Sequence, residues 1–107
     1  MVTPEMFKRA HIDDIEEVEA APGIFVKMLH HTDEGVMVRQ IRFAPGAVLP
    51  MEDTHDLGLE MVYVLEGTFA DDAGRYPAGS LLYGKKGSSH IPASPEGCTV
   101  FSINFVD

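Results

Sequence analysis

The sequence predicts an all-β domain, a sandwich or barrel of short strands. Three observations predict it. Gly and Pro recur together as punctuation, at Pro22-Gly23, Pro45-Gly46, Pro77-Ala78-Gly79 and Pro95-Glu96-Gly97. The runs between them are rich in Val, Ile, Phe and Tyr, and only one short segment has helical spacing. Many short strands with almost no helix bury their apolar faces by closing on themselves or by packing as two sheets. With 107 residues, 45% of them hydrophobic, the chain has the size of one domain, residues 1–107, with enough apolar surface for one core.

In chain order, Ile12, Ile15 and Val18 recur at i, i+3 and i+6 among acids. That spacing predicts one or two helical turns or an irregular arm, so residues 1–21 read as an N-terminal arm and 22–106 as the barrel. Strands are expected at roughly 24–30, 36–43, 60–66, 79–83 and 98–106, with a tight hairpin at Asp71-Asp72-Ala73-Gly74. On the strand from Glu60, alternation puts Glu60, Val62 and Val64 on one face and Met61, Tyr63 and Leu65 on the other. Both faces are largely apolar and need cover. One should line the barrel interior and the other should meet a second sheet, the arm or a second copy, so a homodimer is expected. Phe101, Ile103 and Phe105 alternate on the last strand and read as core, with Phe101 as a candidate pocket wall beside Val62 and Val64.

The charge balance narrows the partners. Against 17 Asp and Glu stand 8 Lys and Arg, a formal charge of −9 that repels phosphate backbones and anionic membrane surfaces. Neither nucleic acid nor membrane is an expected partner, and a small molecule is. No apolar stretch reaches spanning length and no basic segment precedes an apolar one, so a soluble, unexported protein is expected. Cys98 is the only cysteine, so no intrachain disulfide forms, nothing points to an oxidising compartment, and the cytoplasm is the default expectation. Cys98 reads as a small buried hydrophobe, since nothing basic flanks it to activate the thiol.

Chemistry concentrates at His55, Glu60 and, well downstream, His90. Two imidazoles and a carboxylate suit a borderline divalent metal, either Fe(II) with open positions or Zn(II) with a bound water. Glu60 shares a face with Val62 and Val64, and a carboxylate pointing into a barrel is costly unless it meets a cation or hydrogen-bond donors. Adjacent His30 and His31 face opposite ways, so at most one points inward; both read as non-ligands, the inward one as a candidate pocket residue, and His11 reads as surface. Ser88 and Ser89 read as turn residues or as groups that orient His90.

The segments Arg42-Phe43-Ala44-Pro45-Gly46-Ala47, Glu60 to Gly67, Tyr76-Pro77-Ala78-Gly79-Ser80, Gly87-Ser88-Ser89-His90 and Glu96 to Phe101 together resemble the cupin superfamily. More narrowly, the chain is similar to the ChrR-type cupins, which include the metal-binding C-terminal domain of an anti-sigma factor and relatives of acetylacetone dioxygenase. The resemblance implies a double-stranded β-helix, the jelly-roll barrel, with one divalent metal per chain, Fe(II), Zn(II) or Mn(II). It carries over to His55, Glu60 and His90 as ligands. Where the family reads H-x-H, this sequence reads D-x-H, with Asp53 in the first position. Three outcomes are open: Asp53 ligates as a hard oxygen donor, it is too short to reach, or the metal is lost; Glu52 substitutes if the loop slips by one.

The functions implied are a metal-dependent dioxygenase acting on a small diketone-like or acidic substrate, a noncatalytic metal or ligand sensor, or a barrel with a degenerate metal site. No proton-transfer residue is assigned.

Overall fold

The structure, a computed structural model, describes residues 6–56 and 58–106, so residues 1–5 of the expected arm lie outside the described residues. Its strands are β1 (Val18–Ala21), β2 (Ile24–His31), β3 (Met37–Phe43), β4 (Ala47–Val48), β5 (Asp53–Thr54), β6 (Glu60–Asp71), β7 (Gly74–Pro77), β8 (Leu81–Gly84), β9 (Ser89–His90), β10 (Ala93–Ser94) and β11 (Cys98–Asn104). The main sheet runs β1-β2-β3-β11-β6-β10-β4, with β7 and β8 also on β6, and a separate ladder joins β5 to β9.

The pivot is β6, longer than expected and continuous to Asp71. Its first half pairs with β11 and β8 and its second half with β7 and β10. Gly67, at φ 73°, sits at the changeover. A Cβ there would overlap the Gly97 carbonyl oxygen and the Cys98 Cα, so only glycine lets the two stretches pass so closely.

Alternation on β6 holds. Glu60, Val62 and Val64 are buried, and Val64 is wholly inaccessible. Across the β6–β11 ladder they face Asn104, Ser102 and Val100. Ile24, Phe43 and Phe69 complete the core, Phe43 and Phe69 meeting edge to face with centroids 5.6 Å apart. Tyr63, Leu65, Leu81 and Tyr83 lie exposed on the outer face.

Two expectations are corrected. Phe101 is no pocket wall: it pairs with Tyr63 and Gln40, on the face opposite Val100 and Ser102, because residues on one strand alternate sides. The helical reading of residues 12–18 survives only as a 3-10 turn over Ile12–Asp14, and Val18–Ala21 instead join the sheet beside β2. Tertiary ties outweigh the local spacing. Arg42 makes a double hydrogen bond to Glu17 while its guanidinium stacks on Phe25, and the Lys27 Nζ donates to the Ile12 carbonyl.

Candidate metal centre

Three strands and a loop bring the expected residues together. Asp53 and His90 are direct cross-strand partners in the β5–β9 ladder. His55 lies just beyond β5, its backbone N–H donating to the Ser88 carbonyl (2.9 Å) and its carbonyl accepting from the Gly87 N–H (2.7 Å). Glu60 opens β6. One ligand atom from each of Asp53, His55, Glu60 and His90 lies within 4.8 Å of all the others.

Within the cluster, His55 Nε2 is 2.8 Å from Glu60 Oε1 and 3.2 Å from Asp53 Oδ2. His90 Nε2 lies farther off, 3.6 Å from Asp53 Oδ2 and 3.8 Å from Glu60 Oε1. Those distances exceed hydrogen-bond length, and His90 Nε2 is buried with no hydrogen-bond partner among the described residues.

The surroundings orient each group. Ser102 Oγ donates to Glu60 Oε2 at 2.7 Å, and the Arg39 guanidinium lies 3.5 Å from the same oxygen. Arg39 is itself held by Asn104 Oδ1 at 2.9 Å. Oε2 is thus committed, which leaves Oε1 for the cluster. Ser88 Oγ pairs with His55 Nδ1 at 2.9 Å, so it orients His55 and not His90 as expected. His90 Nδ1 instead meets Asp71 Oδ2 at 3.0 Å.

The electrostatics follow from this packing. His90 is pushed up to about 10 by Asp53, then Glu60 and Asp71, against the opposing effect of burial, so with no cation in the cluster it is protonated at neutral pH, and a cation bound there would displace the Nε2 proton. His90 holds Asp53 below the ordinary carboxylate range. Burial pushes Glu60 up, but His90 and the Ser102 hydrogen bond outweigh it and leave Glu60 lowered. Asp71 is likewise raised by burial and brought below its ordinary value by hydrogen bonds from His90, the Ala73 amide and Tyr76.

A divalent cation fits this donor set, which offers two imidazoles, two ionised carboxylates and a buried nitrogen lacking a partner. Two cavities reach both Glu60 and His90. One, of about 360 Å³, has His55, Glu60 and His90 along its wall with Val62, Tyr76 and Leu82. The other, of about 120 Å³, is mostly apolar and reaches Glu60 and His90 from the side of Phe43, Val62, Phe69 and Val100. Val62 lines both, whereas Val64 packs within the core cluster. His30 and His31 lie on β2 and are not part of that group.

Sequence reasoning missed Arg39, Asp71, Tyr76 and Ser102. Ser102 was within reach, since alternation with Val100 places its hydroxyl inward. Asp71 carried only a turn signal.

A family model described as the ChrR Cupin-like domain matches residues 6–105. A search of curated proteins finds no match. Among solved structures, the complex of Rhodobacter sphaeroides SigE with the anti-sigma ChrR is similar at 24% identity and TM-score 0.73, over 89% of this chain and 52% of that one. The chain therefore spans about half the length of that protein. An RmlC-like cupin of Ralstonia eutropha JMP134 matches at 21% identity and TM-score 0.79, over 95% of this chain and 71% of the other. The polyketide cyclase RemF of Streptomyces resistomycificus matches at 19% identity and TM-score 0.73, over 92% and 78%. At such identities the likeness is one of fold.

Proposed function

The chain belongs to the ChrR cupin-like family, and from that premise we propose that it is a metal-dependent cupin whose Asp53, His55, Glu60 and His90 hold one divalent cation, Fe(II), Zn(II) or Mn(II). The observation that carries this reading is His90 Nε2, buried without a partner beside two carboxylates at the wall of a cavity. A buried polar atom left unpaired is costly, and a cation in the cluster removes that cost. Of the three outcomes open for Asp53, ligation is the one its position across from His90 supports.

The reaction class we assign is oxygenation of a small diketone-like or acidic substrate. When bound, such a cation supplies a Lewis-acid centre with open positions for substrate oxygen and, as Fe(II), for dioxygen. The chain's own residues do the rest. Ser102 and Arg39 hold Glu60 in place, Ser88 holds His55, and Val62 and Leu82 present apolar surface to the substrate. Elemental analysis of protein purified without a metal-affinity tag should find close to one metal per chain. A protein that stays empty when offered Fe(II), Mn(II), Zn(II) and Ni(II) sinks the reading. Replacing Asp53 by Ala should weaken binding. Oxygen uptake with Fe(II) and a panel of β-diketones tests the reaction, and no uptake above buffer favours the second reading.

That second reading is a noncatalytic metal or ligand sensor, suggested by the likeness to the anti-sigma ChrR. In either case a second copy is the proposed cover for the outer face at Tyr63, Leu65, Leu81 and Tyr83.

A further inference from the structure

Asp71 ends β6 at the hairpin to β7, and its side chain is only 6% exposed. Its Oδ1 accepts from the Ala73 and Gly74 amides at 2.9 and 3.1 Å and from the Tyr76 hydroxyl at 2.9 Å. That oxygen completes the turn. The turn needs nothing more, and Asn would serve it equally well. Burying a charged carboxylate there is costly unless its second oxygen also has a purpose. That oxygen, Oδ2, lies 3.0 Å from His90 Nδ1. An ionised carboxylate only accepts hydrogen bonds, so Nδ1 must be the donor. The imidazole's other nitrogen then faces Asp53 and Glu60, buried and without a hydrogen-bond partner among the described residues.

We propose that Asp71 is a positioning residue of the metal centre: it fixes the proton of His90 on Nδ1 and aims the Nε2 lone pair at the cation, coupling the β6–β7 hairpin to metal affinity. This rests on the metal-dependent reading above. Metal-bound imidazoles with a hydrogen-bonded outer nitrogen are better oriented and more basic ligands, and losing the outer partner costs about 10–100-fold in affinity.

The test is Asp71→Asn. The two backbone amides and the Tyr76 hydroxyl, all donors, hold the variant's amide oxygen in the turn. Its NH2 is then left facing His90 Nδ1. Two donors cannot pair, so His90 must move its proton to Nε2 or turn away, and either change disables the ligand. Asp72→Asn removes an equal charge one residue along without touching the His90 bond. Zn(II) affinity, measured by competition with a chromophoric chelator, should fall about 10–100-fold in Asp71→Asn and stay near the parent in Asp72→Asn. Chelator-treated Asp71→Asn should still unfold in one cooperative transition, which shows that the variant is folded when its affinity is read. Equal losses in the two variants would mean charge alone is at work and overturn the proposal, as would no loss in Asp71→Asn. A variant that fails to fold leaves a direct reading. Long-range 1H–15N correlation of Zn(II)-loaded wild type should find the His90 proton on Nδ1, and a proton on Nε2 overturns the assignment. Wild type that binds none of Fe(II), Mn(II), Zn(II) and Ni(II) sinks the metal reading itself, whereas wild type that binds while Asp71→Asn binds equally sinks only the role of Asp71.

Discussion

Glu60 shows how a buried charge is made tolerable by division of labour between its oxygens. Oε2 is taken by Ser102 and Arg39, and Oε1 faces the histidines. Ser102→Ala should therefore cost about 1.5–3 kcal/mol, the range for a hydrogen bond to a charged group, read from urea unfolding, and should also weaken Zn(II) binding because Glu60 loses its anchor. A loss of stability with unchanged affinity would separate Ser102 from the site. His90 sets a pH dependence. Its folded-state value is raised from 6.5 to about 10, so its contribution to stability is fully present below 6.5 and is lost as pH rises through about 10. In chelator-treated protein the melting temperature should fall across that window, and His90→Gln should flatten the fall. Glu60 and His55 were legible in the sequence from face alternation, ligand chemistry and motif spacing. Asp71 was not, because a hairpin aspartate carries the same local signal whether or not its second oxygen has a partner.

Among the elements, β6 takes part in both halves of the barrel. Its alternation was legible because six residues sufficed to separate the Glu60, Val62 and Val64 face from the Met61, Tyr63 and Leu65 face. Its continuation to Asp71 was hidden by the close approach at Gly67, which reads locally as a stop. Gly67→Ala must place a Cβ against Gly97 at a positive φ. It should destabilise by more than about 1 kcal/mol, seen as a lowered denaturant midpoint. A neutral result would mean that β6 and β11 can separate there without cost. The strands β5 and β9 are two residues each, below the length at which any periodicity shows, yet their pairing sets Asp53 against His90.

At the scale of the whole molecule, the four candidate ligands are adjacent only in the folded chain, since they are contributed by β5, the loop after it, β6 and β9. A cation that binds the native state alone stabilises it by mass action. Free Zn(II) at 100 times its dissociation constant should add about 2.7 kcal/mol to unfolding free energy, and chelator should reverse the gain. A melting temperature indifferent to metal would contradict a site built from all four. The outer face makes a separate prediction. If a second copy covers it, wild type should run as a dimer in light scattering and Leu81→Glu, placed among Tyr63 and Tyr83, as a monomer. The sequence by itself determined the strand-rich class, the inward face of β6 and the identity of three ligand candidates. The first two depend on local alternation and turn chemistry, and Glu60 on strand face together with motif spacing, whereas His55 and His90 rest mainly on the resemblance to the cupins. Only the tertiary structure decided that Val18–Ala21 join the sheet, that Phe101 faces outward, and that Asp71, Ser88 and Ser102 support the site. Each of these depends on which strand lies beside which, and that register is set by pairing between residues far apart in the chain.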